Sequence, residues 1–122
     1  MSRPDEELLA FIGSNFRSVW ALELLLLLKR ERRPWPRAEL VTALRASELV
    51  VTRALEELIA AALVSVGDEG ASYTPASGQL EECVERVEQL YRSKPNAVRR
   101  AIIAASSSSA TAFADAFKLR KD

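Results

Sequence analysis

The sequence predicts a mainly α-helical protein with one small β-hairpin. Two short helical segments, 37–45 and 47–63, follow each other closely in the middle of the chain. Two short alternating apolar runs come directly after them and are joined by Gly67-Asp68-Glu69-Gly70, which is typical of a β-hairpin. Apolar residues recur at helical spacing on both sides of this unit, so we expect additional helices at both ends of the chain.

The N-terminal part of the chain predicts two helices and a stiff connection. The acidic residues after Pro4 favour the start of a helix at 4–11. Gly13-Ser14-Asn15 should then break the chain before a second helix at 18–33. This second helix is apolar on nearly all sides, so it should lie at the centre of the core. The following Pro34-Trp35-Pro36 predicts a short extended segment beside the hairpin.

The middle and C-terminal elements follow from helix-start and turn signals. Pro36 and Ser47 stand where a helix start favours proline and an N-cap hydroxyl, respectively. We predict strands at 63–66 and 71–74, with Pro75 ending the second. Two more helices are predicted at 77–92 and 95–105, and the remaining residues 106–122 should form a serine-rich joint and a short C-terminal helix.

Two short helices in this order form a helix-turn-helix, which can present its second helix to a DNA groove. The sequence resembles the winged helix-turn-helix proteins, and the MarR-like bacterial regulators in particular, over roughly half of the chain. Their second helix typically follows the pattern Val-Ser-Arg-x-Leu-x-x-Leu-x-x-x-Gly-Leu-Val. The corresponding residues here are Val51, Thr52, Arg53, Leu55, Leu58, Leu63 and Val64, with Ala62 in the usual glycine place.

The resemblance implies a winged helix-turn-helix domain at 1–105, with the helix-turn-helix at 36–63 and the wing at 63–75. It also implies sequence-specific binding of duplex DNA by a bacterial transcriptional regulator, with the recognition helix 47–63 in the major groove.

The charge distribution is uneven although 17 basic and 17 acidic residues cancel. Segment 29–53 is mostly basic and segment 56–88 is mostly acidic. A positive helix-turn-helix beside a negative C-terminal half would suit a phosphate-facing surface. The alternative is that the basic run at 29–37 is only a solvated connection between helices.

Seven residues are therefore candidates for DNA contact: Arg32, Arg33, Arg37, Arg45, Ser47, Thr52 and Arg53. Arg53 could contact a guanine or a phosphate, or could instead form a salt bridge with Glu56 or Glu57. The acidic wing tip should repel phosphate, so we expect no minor-groove contact from it. The alternative function is a winged-helix protein-interaction module that uses Leu49, Val50 and the acidic wing.

Catalysis, metal binding and cofactor binding have no support in the sequence. The chain has no histidine, which removes the usual general base and the commonest zinc ligand. Its four glycines never occur in a phosphate-loop spacing. The single cysteine, Cys83, excludes an internal disulfide and suits a reducing cytoplasm. The apolar run at 19–28 is too short for a membrane helix, and no secretion signal is visible, so we expect a cytoplasmic protein.

We also predict a homodimer, because regulators of the kind this chain resembles commonly pair through helices outside the DNA-binding unit. The candidate contacts are apolar stripes at Leu8, Leu9 and Ile12, and at Leu80, Val84, Val87 and Tyr91. The alternative for both stripes is that they cover the protein's own core.

The C-terminal segment 110–122 supplies a further candidate contact. Phe113 and Phe117 are four residues apart, so a helix would place both rings on one side. We expect this segment to dock on its own domain or on a second protomer. The alternative is a tail that becomes ordered only on a separate partner.

Overall fold

The computed structural model of this chain describes residues 3–105, which form six helices and one two-stranded antiparallel sheet. The predicted mainly helical class with a small hairpin is confirmed. The predicted joint and short helix at 106–122, including Phe113 and Phe117, lie outside the described residues. The elements are α1 (Arg3–Asn15), α2 (Val19–Arg30), α3 (Arg37–Leu44), α4 (Glu48–Ala60), β1 (Val64–Gly67), β2 (Gly70–Tyr73), α5 (Gly78–Ser93) and α6 (95–105).

Helix α1 runs through Gly13, where the sequence predicted a break. The last turn is closed by a hydrogen bond of 2.9 Å from the amide of Phe16 to the carbonyl of Ile12. A β-carbon placed on Gly13 would lie 3.4 Å from the β-carbon of Ala105, in van der Waals contact, so α1 packs directly against α6 at this point. The chain then bends by 101° into α2.

Helix α2 forms the centre of the core. Ser18 caps its N-terminus by accepting the amide hydrogen of Ala21, and six of its residues are buried. The helix ends at Arg30 and not at 33 as predicted, and the amide of Glu31 closes its last turn. The helix must end before Trp35, because this residue has an extended backbone and pairs with Ala71 of β2 through two backbone hydrogen bonds of 2.8 and 2.9 Å. The predicted extended segment beside the hairpin is confirmed.

The hairpin pairs Val64 with Tyr73 and closes with Gly67 opposite Gly70. Gly70 has a φ of +129°, and a β-carbon there would lie 2.3 Å from the carbonyl carbon of Trp35. Only glycine fits this close approach between the hairpin and the segment before α3.

Helices α3 and α4 both end in a left-handed residue that is not glycine. Arg45 follows α3 with a φ of 55°, and Ala62 follows α4 with a φ of 62°. After α4, the amide of Leu63 donates to the carbonyl of Leu58 and that of Ala62 donates to Ile59, both at 3.0 Å. This is the Schellman pattern, and it ends α4 at Ala60, earlier than the predicted residue 63.

Helices α5 and α6 cover the opposite side of α2. Ser77 caps α5 through the amide of Leu80, and Val84 and Val87 of α5 are fully buried. Val98 and Ile102 of α6 join the same core. Among residues 3–105, no helix alone is long and apolar enough to cross a membrane. Helices α1 and α2 meet that test, by length and composition only, as a bent pair.

Replacing Ala62 with glycine should stabilise the protein, because a left-handed conformation strains a residue with a β-carbon. We expect the free energy of unfolding to rise by about 1 kcal/mol, with Tm rising by about 4 °C, in thermal unfolding followed by circular dichroism. The matched control is Ala60→Gly, in the right-handed last turn of α4, which should lower stability by about 0.5–1 kcal/mol. A fall in Tm for both variants would contradict the strained cap at Ala62.

Candidate nucleic-acid interface

The N-terminal half of α4 presents an exposed face beside α3. The residues predicted for the core, Val51, Ala54, Leu55 and Leu58, are buried. The Ser47 hydroxyl accepts the amide hydrogen of Val50 at 3.2 Å and so caps the helix. Of the outward positions predicted from the sequence, Glu48 and Arg53 are exposed, while Val50, Thr52 and Glu57 are half-buried. Leu49 is also exposed.

Arg37, Arg45 and Arg53 lie on the α3–α4 unit. The Arg37 guanidinium donates to the Thr52 hydroxyl at 3.0 Å and so joins the start of α3 to α4. Arg45 stands in the turn before α4, and Arg53 lies one helical turn into it. The side chains of Arg45 and Arg53 make no hydrogen bond or ion pair with another residue in the described part of the chain.

The alternative salt bridge from Arg53 to Glu56 or Glu57 is therefore not formed within the described residues. Glu57 instead accepts the backbone amide hydrogen of Arg17 at 2.6 Å. This bond ties α4 to the bend between α1 and α2. Arg53 lines the adjoining cleft of about 520 Å³, between that bend and α4.

Arg33 is held by its own neighbours. Its guanidinium pairs with the Glu39 carboxylate at 3.0 Å and lies 3.7 Å from the centre of the Trp35 ring. A phosphate contact from Arg33 would have to compete with both interactions.

The other basic residues of segment 29–53 face α5 and α6. Lys29 pairs with Glu88 of α5 at 2.9 Å, with only 12% and 13% of the two side chains exposed. Arg30 lines a cleft with Tyr91 and Arg99. The Arg32 guanidinium lies 5.3 Å from the centre of the Tyr73 ring. Burial and the nearby carboxylates of α5 raise the pKa of this tyrosine, so its hydroxyl lies on the α5 side. The structure thus does not bring Arg32 to the face that carries Arg53.

The surface around α4 is mixed in charge. Among the exposed charged residues of segment 33–69, five carboxylates oppose four guanidiniums. The predicted positive half is therefore not a continuous positive face. The two sets are Glu39, Glu48, Glu56, Asp68 and Glu69 against Arg33, Arg37, Arg45 and Arg53.

An apolar cleft of about 340 Å³ separates α4 from the hairpin tip, and sequence reasoning missed it. Ile59 and Val66, on its two sides, remain 46% and 55% exposed. The signal was present at Ile59, which lies beside the buried α4 stripe and not within it. The residues that line the cleft are Trp35, Arg37, Thr52, Leu55, Glu56, Ile59, Val66, Gly70 and Ala71.

The residues predicted for dimer contact lie mainly in the protein's own core. Ile12, Val84 and Val87 are fully buried within the monomer, so they cannot contact a partner. The other candidates, Leu8, Leu9, Leu80 and Tyr91, are half-buried and pack against the core. For these helices the alternative, coverage of the protein's own core, describes the structure.

The described residues contain no group of three or more histidine, cysteine, aspartate or glutamate side chains that could hold a metal ion. Cys83 is half-buried on α5. Comparison of the chain with protein-family models, curated proteins and solved structures finds no match.

The two tyrosines on the far side of α2 have opposite hydrogen-bonding states. The Tyr73 hydroxyl is buried and has no hydrogen-bond partner among the described residues. This burial raises the pKa of Tyr73 to about 12, and the Glu81 carboxylate adds to the effect. The Tyr91 hydroxyl donates to Glu23 at 2.5 Å and accepts from Arg99 at 3.3 Å. Burial, followed by the bond to Glu23, raises the pKa of Tyr91.

Tyr73→Phe should therefore raise the free energy of unfolding by about 1 kcal/mol, because it removes a buried hydroxyl that has no partner. The matched variant, Tyr91→Phe, should lower it by about 1 kcal/mol, because it removes a satisfied hydrogen bond. Urea unfolding at neutral pH measures both changes. Equal losses in the two variants would contradict the assignment.

The pH dependence gives the same prediction a second measurement. Because the pKa of Tyr73 is higher in the folded state than in the unfolded state, ionisation of Tyr73 does not affect stability below about pH 10 and lowers it progressively as pH rises through about 12. The stability gap between Tyr73→Phe and the parent should therefore widen above about pH 10. A constant gap would show that Tyr73 ionises alike in the folded and unfolded states.

Proposed function

We propose that this chain is a winged helix-turn-helix protein that binds duplex DNA through α4 and acts as a bacterial transcriptional regulator. The observation that carries this proposal is the α3–α4 unit, in which Arg45 and Arg53 stand exposed at the start of the second helix. The N-terminal residues of such a helix contact base edges when it lies in a major groove.

The order of elements supports this proposal. A central helix, an extended segment at Trp35, two short helices and a hairpin follow one another, and Trp35 pairs with Ala71 of the hairpin in an isolated β-bridge. This is the order expected of a winged helix, with the hairpin as the wing. Fold alone does not specify function, so the charges on the face must supply the rest of the argument.

Arg37, Arg45 and Arg53 are the arginines on this face that have no carboxylate partner among the described residues. Arg45 and Arg37 would hold phosphates on either side of α4, and Arg53 would contact a base or a phosphate. The hydroxyls of Ser47 and Thr52 could donate to phosphate oxygens. The acidic tip at Asp68 and Glu69 would stay away from the backbone.

Arg45→Gly provides a test that separates binding from folding. Glycine suits the left-handed conformation at this position, so stability should rise while one phosphate contact is lost. Three phosphate contacts predict that log K falls with log salt with a slope of roughly −3 per bound protomer, and Arg45→Gly should reduce its magnitude by about 1. Fluorescence anisotropy with labelled duplex DNA at several salt concentrations measures the slope.

Arg32→Ala is the matched control, because it removes an arginine from the α5 side of the molecule. It should leave the salt slope unchanged. An unchanged slope for Arg45→Gly, or no detectable binding to mixed genomic fragments at low salt, would contradict DNA binding through α4.

The apolar cleft favours a second candidate function, a winged-helix module that binds another protein. Ile59 and Val66 are exposed across the cleft, Leu49 is exposed near the start of α4, and the hairpin tip is acidic. Exposed aliphatic groups that share a concave surface are typical of protein contacts. Absence of duplex binding at low salt would favour this candidate.

We also propose that the protein forms a two-fold dimer, through other side chains than the sequence suggested. The end of helix α6 lies near the start of α2, because Ala101 and Ala105 lie against Gly13, just before the bend into α2, whereas Arg99 shares the Tyr91 hydroxyl with Glu23 further along α2. Trp20 and Ile103 therefore lie towards the same end of this helix pair, and both are exposed. Such a patch offers a self-complementary contact for two copies.

Light scattering at micromolar concentrations should show a dimer for the parent protein. Trp20→Glu should give a monomer, because a carboxylate would be buried without a partner in the contact. Leu49→Glu is the control, because Leu49 is exposed on α4 and should leave the dimer intact. A monomeric parent would contradict this proposal.

A further inference from the structure

The cleft between α4 and the hairpin tip lacks an apolar cover among the described residues. Leu55 and Ile59 form one side, and Val66 and Ala71 form the other, with Trp35 at the base. Ile59 and Val66 each keep about half of their surface in water. An occupant that supplied large apolar side chains would remove this surface from water, which is favourable in proportion to its area.

The rim of the cleft determines which charge such an occupant should carry. Glu56 lies on the α4 side, and Asp68 and Glu69 form the hairpin tip between Gly67 and Gly70, next to the cleft residue Val66. Among the described residues that line the cleft, the guanidinium is that of Arg37, and it donates to the Thr52 hydroxyl. The cleft is therefore complementary to an apolar segment that is followed by basic residues.

The chain itself contains such a segment beyond the described residues. Phe113 and Phe117 are four residues apart, and Lys118, Arg120 and Lys121 follow them directly. Aromatic side chains bury more surface than any others, so two of them suit a cleft of this size. The order, aromatic pair first and basic residues second, matches the apolar cleft and its acidic tip.

The segment leaves the described structure within reach of the cleft. Ala105 lies against Gly13. The neighbouring Ser14 lines the other cleft, between the α1–α2 bend and α4, together with Arg53 and Glu56. The apolar cleft begins on the other side of Glu56, roughly one helix diameter of 10–12 Å away. The eight residues from 106 to 113 can span about 27 Å when extended, which is enough to pass around α4.

We propose that residues 110–122 dock into the cleft between α4 and the hairpin of their own chain. Phe113 and Phe117 contact Ile59 and Val66, and the basic residues after them face Asp68 and Glu69. This contact covers the side of α4 next to Arg37. The bound segment and a duplex on α4 would therefore compete, but the docking itself does not depend on DNA binding.

Methyl NMR of the full-length protein tests the docking directly, because the chain has isoleucines at only four positions: 12, 59, 102 and 103. Ile12 and Ile102 are buried in the core, Ile59 lines the cleft, and Ile103 is exposed on α6. Phe113→Ala/Phe117→Ala should shift the Ile59 methyl resonance, because it removes two aromatic rings from the cleft. The Ile12 and Ile102 resonances should stay in place and so report an intact fold.

A charge variant tests the second half of the contact. Asp68→Asn/Glu69→Gln should shift the Ile59 resonance in the same direction as the phenylalanine variant, because it weakens the attraction for Lys118, Arg120 and Lys121. The matched control is Glu81→Gln/Glu82→Gln on α5, which removes the same charge from another surface and should leave Ile59 unmoved.

Three results would overturn the proposal. An Ile59 resonance that does not respond to Phe113→Ala/Phe117→Ala would show that the rings are not in the cleft. A shift of Ile103 alone would place the segment on α6. An Ile59 resonance in the parent that changes with protein concentration would show that the segment comes from a second copy.

Discussion

The backbone pairing between Trp35 and Ala71 holds the α3–α4 unit and the hairpin in one arrangement. Its two hydrogen bonds fix the connection between α2 and α3 against β2. The Trp35 ring is buried, and its indole N–H donates to the carbonyl of Glu31 at 3.1 Å, which anchors the same point to the end of α2. Gly70 makes this approach possible, since a β-carbon there would overlap the Trp35 carbonyl group. The apolar cleft exists because this pairing sets the distance from the hairpin to α4.

Most of the fold could be predicted from local signals, and the corrections arise where distant segments meet. Ser47 predicted the start of α4 because a capping hydroxyl acts on its own neighbours. Gly13 was misinterpreted as a break, because the helix continues through it where it packs against α6, which comes much later in the chain. The end of α4 was misplaced because Ala62 adopts a conformation that the sequence associates with glycine. Pairing of Trp35 with the hairpin was anticipated from its two flanking prolines.

The candidate site was less predictable than the fold, because charge along a sequence is not charge on a surface. Lys29 and Arg32 are close in sequence to Arg37, yet they contact Glu88 and Tyr73 on the other side of α2. Val66 and Gly70 lie far along the chain from Arg37, and folding brings them to the same cleft, with the acidic residues Asp68 and Glu69 in the turn between them. The α4 positions could be assigned from helical spacing. The charges that surround the α4 face could be assigned only from the three-dimensional structure.

The contact of Gly13 with α6 joins the first and last described helices, and this affects how the protein reaches its native state. During synthesis, Ile12 of α1 is made long before Val98 and Ile102 of α6, although all three are buried in one core. The apolar stripe of α1 therefore stays uncovered until α5 and α6 have left the ribosome. Contacts this distant in sequence carry a large loop-closure cost and form late. Docking of α1 on α6 should therefore complete folding, and Ala105, at the end of the described fold, lies roughly 15 Å along α1 from Arg3, a distance that a short linker can bridge in a circular permutant.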